Sequence, residues 1–259
     1  MTREEHRLKL ISLNIELDRH LDTVLPFLRR ERADVVCLQE VFEKDFRDLE
    51  VGIGMKGLFV PTCIPDVERV MDGDATGEGR LVVNEALLKR GPEGIALFTS
   101  LPVRASRVDY YHGGPGEVPR WSRGQNRILL SAVLEKSGKT YTIGTAHFTW
   151  TPDGEPSEEQ TRDMKLLLTT LAHFPDIVFC GDFNAPRGGK MWEELAGRYA
   201  DNIPASYRSS LDPKLHRVKG LERMVDGLFS TPEFCVSDVR LVQGVSDHKA
   251  VVGFVGRAS

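Results

Sequence analysis

The sequence predicts an α/β (α+β) fold: a layered sandwich of two mixed β-sheets packed face to face, with helices on the outside. Three observations predict it. The chain opens as strand, helix, strand, and the second strand, residues 34–39, is a nearly continuous apolar run of the kind expected when a strand is covered on both faces. Strands joined by short turns follow between residues 94 and 146. A long amphipathic helix then leads into another apolar strand. Hairpins mixed with helical crossovers call for two mixed sheets rather than a barrel or a bundle.

Taken in order, residues 8–14 read as the first strand. Leu17, Leu21, Val24, Leu25 and Leu28 then recur at helical spacing, ending in the solvated Arg29-Arg30-Glu31-Arg32 stretch. Glu40 is expected to end the second strand and lead into a helix reaching about Leu49. Residues 51–92 carry no clear period. Within them Met71-Asp72-Gly73-Asp74-Ala75-Thr76-Gly77-Glu78-Gly79 has loop composition; Asp72, Asp74 and Thr76 lack the glycine and glutamate spacing of a calcium loop, so a turn is expected. Strands resume at 94–99 and 103–108 through Ser100-Leu101-Pro102. They return at 128–134 and 140–146, where Lys136-Ser137-Gly138-Lys139 makes a hairpin. Residues 157–174 form the best helix: Ser157 is an N-cap, Glu158, Glu159 and Gln160 fill the first turn, and Met164, Leu167, Leu168 and Leu171 make the apolar stripe. Strands at 176–180, 224–229, 236–242 and 250–255 complete the chain.

A chain of 259 residues can bury a sizeable core, and with no linker-like break it reads as one domain spanning 1–259. Its 41% hydrophobic and 28% charged content exclude a disordered or fibrous chain. No apolar run approaches the roughly 20 residues that span a bilayer. The charged Met1-to-Arg7 opening lacks a signal-peptide core, so a cytoplasmic protein is expected, and a monomer is expected as well. Cys37, Cys63, Cys180 and Cys235 lie far apart without a CxxC pair, which points to buried thiols rather than disulfides or zinc. A net charge of −4 excludes a strongly basic nucleic-acid-coating protein but not an enzyme with a local cationic patch.

Chemistry gathers at strand ends. Ile177-Val178-Phe179-Cys180-Gly181-Asp182-Phe183-Asn184 delivers an acid and an amide just past an apolar run, and Ser246-Asp247-His248 places an acid and an imidazole before the last strand. Asn14, Glu40 and His147 stand at the ends of three further strands. Sheet proteins hold functional groups there, rigid yet exposed. Asp226 lies in a strand-like run where an acid is costly unless paired, and His248 is its natural partner. Acid, amide and imidazole together hold a divalent cation and a phosphate. Singly, each has an ordinary structural explanation: an Asx turn for Gly-Asp-Phe-Asn, a helix-terminal acid for Glu40, a hydrogen-bonded core histidine for His147.

In combination, Leu13-Asn14, Leu38-Gln39-Glu40, Thr145-Ala146-His147, Gly181-Asp182-Phe183-Asn184, Val225-Asp226 and Ser246-Asp247-His248 resemble the endonuclease/exonuclease/phosphatase superfamily. That group includes deoxyribonuclease I, exonuclease III-type apurinic endonucleases, sphingomyelinases and inositol polyphosphate 5-phosphatases. The resemblance covers nearly the whole chain and implies a four-layer, deoxyribonuclease I-like sandwich. It implies that Glu40 ligates Mg²⁺, for which Mn²⁺ is a possible substitute, with Asn14 organising the site and Asp247 supporting the metal side. It further implies that Asp182 orients or deprotonates the attacking water, Asn184 donates to the phosphate, His248 held by Asp226 contacts the phosphoryl oxygens, and His147 is a second phosphate contact. The competing metallophosphoesterase class needs Gly-Asn-His and Gly-His-x-His motifs, and neither is present.

Substrate choice falls to less readable segments. Residues 109–127 form a long loop rich in aromatics and arginine, and loops of that length are often functional. Tyr111 or His112 is a candidate phosphate contact, with loop packing as the alternative. Arg123 and Arg127 can meet a phosphate backbone or serve as surface charges. Phe148-Thr149-Trp150 can stack a base through Trp150 or lid the following helix. Arg217, Lys219 and Arg223 read as a solvated basic face. Asn126-Arg127 leading into a strand, then His147 and the helix at 157, resembles the tyrosyl-DNA phosphodiesterase 2 branch. The chain departs from it after His147 and lacks an Arg-x-x-Gln pattern in the helix.

These readings lead to an Mg²⁺-dependent phosphodiesterase acting on nucleic acid, as a nuclease or at DNA ends. Hydrolysis of a small phosphorylated metabolite or phospholipid headgroup is the second enzyme class, and a non-catalytic binding domain on this fold the third.

Overall fold

A computed structural model describes residues 6–70, 80–152 and 154–258. The segment expected to be a turn with Asp72, Asp74 and Thr76 lies outside the described residues. Strand Leu8–Asn14 (β1) pairs parallel with Val35–Phe42 (β2) across helix Leu21–Glu31 (α1). Helix Glu43–Ile53 (α2) follows. The stretch without a clear period holds strand Lys56–Cys63 (β3), a small antiparallel pair, Val67–Val70 (β4) with Arg80–Val83 (β5), and the single turn Glu85–Leu88 (α3). Strands Glu93–Thr99 (β6), Val103–His112 (β7), Arg127–Lys136 (β8) and Lys139–His147 (β9) come next. Helix Glu158–Leu171 (α4) crosses to Val178–Asp182 (β10), again parallel to its predecessor. Helix Lys190–Ala196 (α5) and strands Ala200–Asp201 (β11), Asp226–Ser230 (β12), Phe234–Val242 (β13) and Ala250–Arg257 (β14) complete the described chain.

Two six-stranded sheets result, in the orders β13-β14-β1-β2-β6-β3 and β11-β12-β10-β9-β8-β7. The period of two along each strand assigns the layers. Leu8, Leu10, Val35 and Cys37 face the second sheet and pack with Leu129, Ile143, Val178, Cys180 and Leu228; Ile11, Leu13, Val36 and Leu38 point the other way, onto Val24, Phe27 and Leu28 of α1 and Leu49 of α2. On the far side Met164, Leu167, Leu168 and Leu171 of α4 and Trp192 of α5 close the second sheet, where Phe179, Phe183 and Phe229 form an aromatic cluster. The architecture is therefore the four-layer α/β sandwich expected. Cys37, Cys63 and Cys180 are buried free thiols, and Cys235 is exposed. Among the described residues no helix is long and apolar enough to cross a membrane.

Several boundaries differ from the sequence expectation for local reasons. Glu16 and Leu17 take left-handed backbone (φ 49° and 64°), so α1 begins four residues after Leu17. Glu40 does not end β2: the strand runs on to Phe42, and the pairing with β6 shifts between Leu38 and Val41. This bulge holds Glu40 at φ 56°, an uncommon conformation for a non-glycine residue and one that re-aims its side chain. β7 continues through His112, which shortens the long loop to 113–126.

The topology sends functional groups to one rim. β1, β2, β9 and β10 end there, and their antiparallel neighbours β14, β6, β8 and β12 begin there. Two hydrogen bonds stitch the sheets together near this rim, Gln39 Nε2 to Thr145 Oγ1 at 3.0 Å and Asn14 Nδ2 to Asp182 Oδ2 at 3.1 Å.

Candidate active site

Asp182 is the centre of the rim. Its neighbours across the ladder are His147 on β9 and Asp226 on β12, so register alone puts these three side by side. Gly181 makes that pairing possible: at φ 141°, a Cβ there would lie 1.9 Å from the Ala146 carbonyl oxygen. Asn184 turns the chain away at φ 49°, donating its backbone N–H to Asp182 Oδ1 at 2.8 Å in an Asx turn. One N–H of its side-chain amide goes to the Phe148 carbonyl at 3.0 Å. The second is not used by Phe148.

Two imidazoles flank Asp182 Oδ2. His147 Nε2 lies 3.7 Å away and His248 Nε2 3.8 Å away. His248 Nδ1 sits 2.7 Å from Asp226 Oδ2. Ser210 Oγ accepts the backbone N–H groups of Val225 and Asp226, and Leu211 bridges to His248, so a loop with no regular structure anchors the pair. Asn14 spends both amide protons, on Glu40 Oε1 at 3.0 Å and on Asp182 Oδ2. It is thus an organiser that spaces the two acids, with no donor left for phosphate.

Burial sets the charges. It raises Asp182 to about 6, further raised by Asp226 and opposed by His248 and the hydrogen bonds from Asn184 and Asn14. Burial alone would lower His248, but Asp226, Asp182 and Asp247 override it and hold the imidazole well above its ordinary value. Burial lowers His147 well below its ordinary value, and Arg127 and His248 add to that effect. Glu40 is pushed up to about 8 by burial, then by Glu93 and Asp247, against Asn14 and His248. Glu93 itself is raised to about 7 by burial, against hydrogen bonding from Cys63 and Thr62 and the charge of Arg127. Its Oε2 has no hydrogen-bond partner among the described residues.

Glu40 thus has two further acids close by, Glu93 and Asp247, and Glu93 keeps one oxygen without a partner; a hard divalent cation there would relieve their repulsion. Glu40 and Asp247 would hold it. A second group adjoins them: Glu16, His20 and Asp247 offer ligand atoms within 4.8 Å of one another, with Glu16 Oε2 2.9 Å from His20 Nε2. Glu16, His20 and Glu93 escaped the sequence reading. The only signal for Glu16 is an acid two residues beyond Asn14, and for Glu93 an acid at the head of an apolar strand.

The loop residues separate into two kinds. Tyr111 is buried, stacked on Phe148, with its hydroxyl 3.4 Å from the His147 carbonyl. Burial pushes its phenol up, as expected of an interior tyrosine. His112 faces α4, with Nδ1 2.9 Å from the buried Asp163, which also accepts from Thr149. Arg127 is buried beneath the rim and donates to the His147 carbonyl at 3.2 Å. Arg123 is exposed on a 3-10 turn, Trp121–Arg123. Phe148 is core; Trp150, 38% exposed, stands at the surface.

Carboxylates clustered beside Asp182, an amide and a charged imidazole are an arrangement suited to phosphoester hydrolysis. The sequence profile of the Endonuclease/Exonuclease/phosphatase family matches residues 11–248. The chain belongs to that family and is a metal-dependent phosphoesterase. Its fold is shared with an endonuclease/exonuclease/phosphatase from Bacteroides vulgatus (19% identity, 97% of this chain and 99% of that one, TM-score 0.69). It is likewise shared with the human Nocturnin catalytic domain with bound sulfate (18%, 98% and 94%, TM-score 0.69). The humanized TDP2 of D. rerio also aligns (15%, 96% and 99%, TM-score 0.64). No curated protein matches the chain by sequence.

Proposed function

We propose that the chain hydrolyses phosphodiester bonds of nucleic acid with Mg²⁺ held by Glu40 and Asp247. The observation that carries the chemistry is the position of Asp182 between a neutral and a charged imidazole, beside the Glu40 acid cluster. Bound at those carboxylates, the cation supplies fixed positive charge to the phosphoryl group. Asp182, raised to about 6, is matched to a general base working near neutral pH. Water aligned by Asp182 attacks phosphorus, the new P–O bond forms as the bond to the leaving oxygen breaks in line, and the water's proton passes to Asp182. The His248 cation and the spare N–H of Asn184 hold negative charge on the equatorial oxygens. His147, neutral, offers a hydrogen bond without adding charge.

The exposed Trp150, three residues past His147, and the exposed Arg123, four residues ahead of β8, support nucleic acid as the substrate, one as a stacking surface and the other as a phosphate contact. The test is an assay with Mg²⁺ or Mn²⁺ against DNA, RNA, 5′-blocked DNA, inositol phosphates and sphingomyelin, with Asp182→Asn as control. Cleavage of DNA or RNA that is lost in the control is the expected result. Turnover confined to the small phosphates or the lipid would overturn the substrate class while leaving the chemistry intact.

A further inference from the structure

Beyond Asn184 the surface opens into a groove that the catalytic chemistry does not use. Its first part is a cavity of about 320 Å³ between residues 154–160 and 185–191, floored by Gln160 and Ala185 and walled by Lys190 and Arg223. Its second part, about 440 Å³, continues along α4 past Thr161, Arg162 and Lys165; Pro156 and Lys190 line both. The groove is joined to the site covalently and by hydrogen bonds. Ala185 follows Asn184 directly, and Gln160 Nε2 donates to the carbonyl oxygens of Asn184 (3.4 Å) and Thr149 (2.9 Å).

The charge of this groove is cationic. Arg162, Lys165, Lys190 and Arg223 line it against two carboxylates, Glu155 and Glu158. Arg162 is engaged by Glu159 and Asp163. Among the described residues, Lys165, Lys190 and Arg223 form no ion pair. Elsewhere Arg7, Lys9, Lys44, Arg47, Arg90 and Arg187 are each paired with an acid. Unpaired cations spread along an open trough, in a protein of net charge −4, favour a ligand carrying several regularly spaced negative charges over a single phosphate. The trough is also open along its length, whereas a small metabolite calls for an enclosed pocket.

The geometry points to this groove as the track for the phosphates of a polynucleotide strand next to the scissile bond, with Lys190 and Arg223 meeting the nearer phosphate and Lys165 a farther one. Arg223, which the sequence places on a solvated face, thereby becomes a substrate contact. The assignment rests on the nucleic-acid reading above and specifies which surface of the chain delivers it.

The experiment compares kcat/KM, with Mg²⁺, for a chromogenic phosphodiester carrying one phosphate, a dinucleotide, and a single strand of about ten nucleotides. Two variants are used: Arg223→Ala, and the double variant Lys165→Ala/Lys190→Ala at exposed positions where folding is insulated. The expected result is a fall of about tenfold in the ratio of oligonucleotide to small-diester kcat/KM, carried mainly by KM, in each variant. In the double variant the salt dependence of oligonucleotide binding is also expected to flatten by roughly one to two units of log–log slope. If the wild-type protein cleaves oligonucleotides and neither variant moves the ratio or the slope, the groove assignment is overturned alone. If it cleaves the small diester and no oligonucleotide, the nucleic-acid reading falls and takes the groove with it. A loss already complete at the dinucleotide would also overturn the extended track, reducing it to a single-phosphate subsite.

Discussion

His147 and His248 occupy matching places on opposite sides of Asp182, 3.7 and 3.8 Å from the same oxygen, with side chains 10% and 9% exposed. Burial pushes both toward neutrality, yet they end in opposite states. Behind His248 stand Asp226 at 2.7 Å, with Asp182 and Asp247 near, and the ring is held as a cation. Behind His147 stands the Arg127 guanidinium, bonded to the residue's own carbonyl, and the ring is held neutral. At nearly equal depth the neighbours make the difference: at His248 three carboxylates overturn the effect of burial, while at His147 burial, reinforced by Arg127 and His248, keeps the ring neutral. The pair gives Asp182 one cationic and one neutral neighbour at nearly the same distance, a division that two cations or two neutral rings would not provide.

The comparison can be broken at its centre. Asp182→Asn removes the carboxylate proposed as the base, and kcat is expected to fall about 10³–10⁴-fold with an unchanged circular dichroism spectrum. Retention of a tenth of the activity would remove Asp182 from the role of base. Asp226→Asn removes the charge behind His248 while keeping a hydrogen-bonding group. A loss of about 10²-fold is expected, and the alkaline limb of the pH–kcat profile should move to lower pH, because a ring no longer held above its ordinary value loses its proton earlier. An alkaline limb that stays in place would show that the His248 cation is not what that limb reports.

His147→Gln is expected to cost about tenfold and to leave the shape of the profile unchanged, since a ring held neutral contributes no ionisation above its lowered value. A shifted limb in this variant would erase the contrast between the two histidines. The smallest effect concerns the acids beside them. Glu40 is raised from 4.5 to about 8, so its ionisation costs the metal-free fold stability as pH rises through that window, and a cation bound to the carboxylate removes that cost. The increase in Tm on adding saturating Mg²⁺ is therefore expected to be a few degrees larger near about pH 8 than near about pH 5. Glu40→Gln should flatten that difference and raise the metal-free Tm at the higher pH. Equal Mg²⁺ shifts at both pH values would mean that Glu40 is not a ligand.

Much of this arrangement was legible from the chain. The hairpin at Ser137-Gly138 forms with both residues at positive φ, as its turn composition requires, and Ser157 caps α4 by accepting the Gln160 N–H at 3.0 Å. These are local outcomes, decided by neighbours a few residues apart. Failures cluster where a distant strand overrides the local signal. Glu40 looked like a strand terminus because a carboxylate rarely continues a buried run, whereas pairing with β6 carries β2 on to Phe42 around a bulge. Tyr111 and Arg127 lie in a polar, aromatic stretch that reads as a loop; strand pairing between β7 and β8 turns both inward beneath His147.

By itself the sequence determined the layered α/β class, through apolar runs with period two and an amphipathic crossover helix, and it determined the chemical types available at the strand ends. Only the tertiary structure decided which of those groups act on one another. Asn14 and Asp182 are separated by 168 positions, and Glu93 meets Glu40 through β6 lying beside β2, contacts that no local pattern encodes. The ionisation states belong wholly to that level, because desolvation and Coulomb interactions depend on distance through the folded molecule and not along the chain. The same holds for the groove beyond Asn184: Arg223, Lys190 and Lys165 come from three separate segments, and folding alone lines them up on one surface.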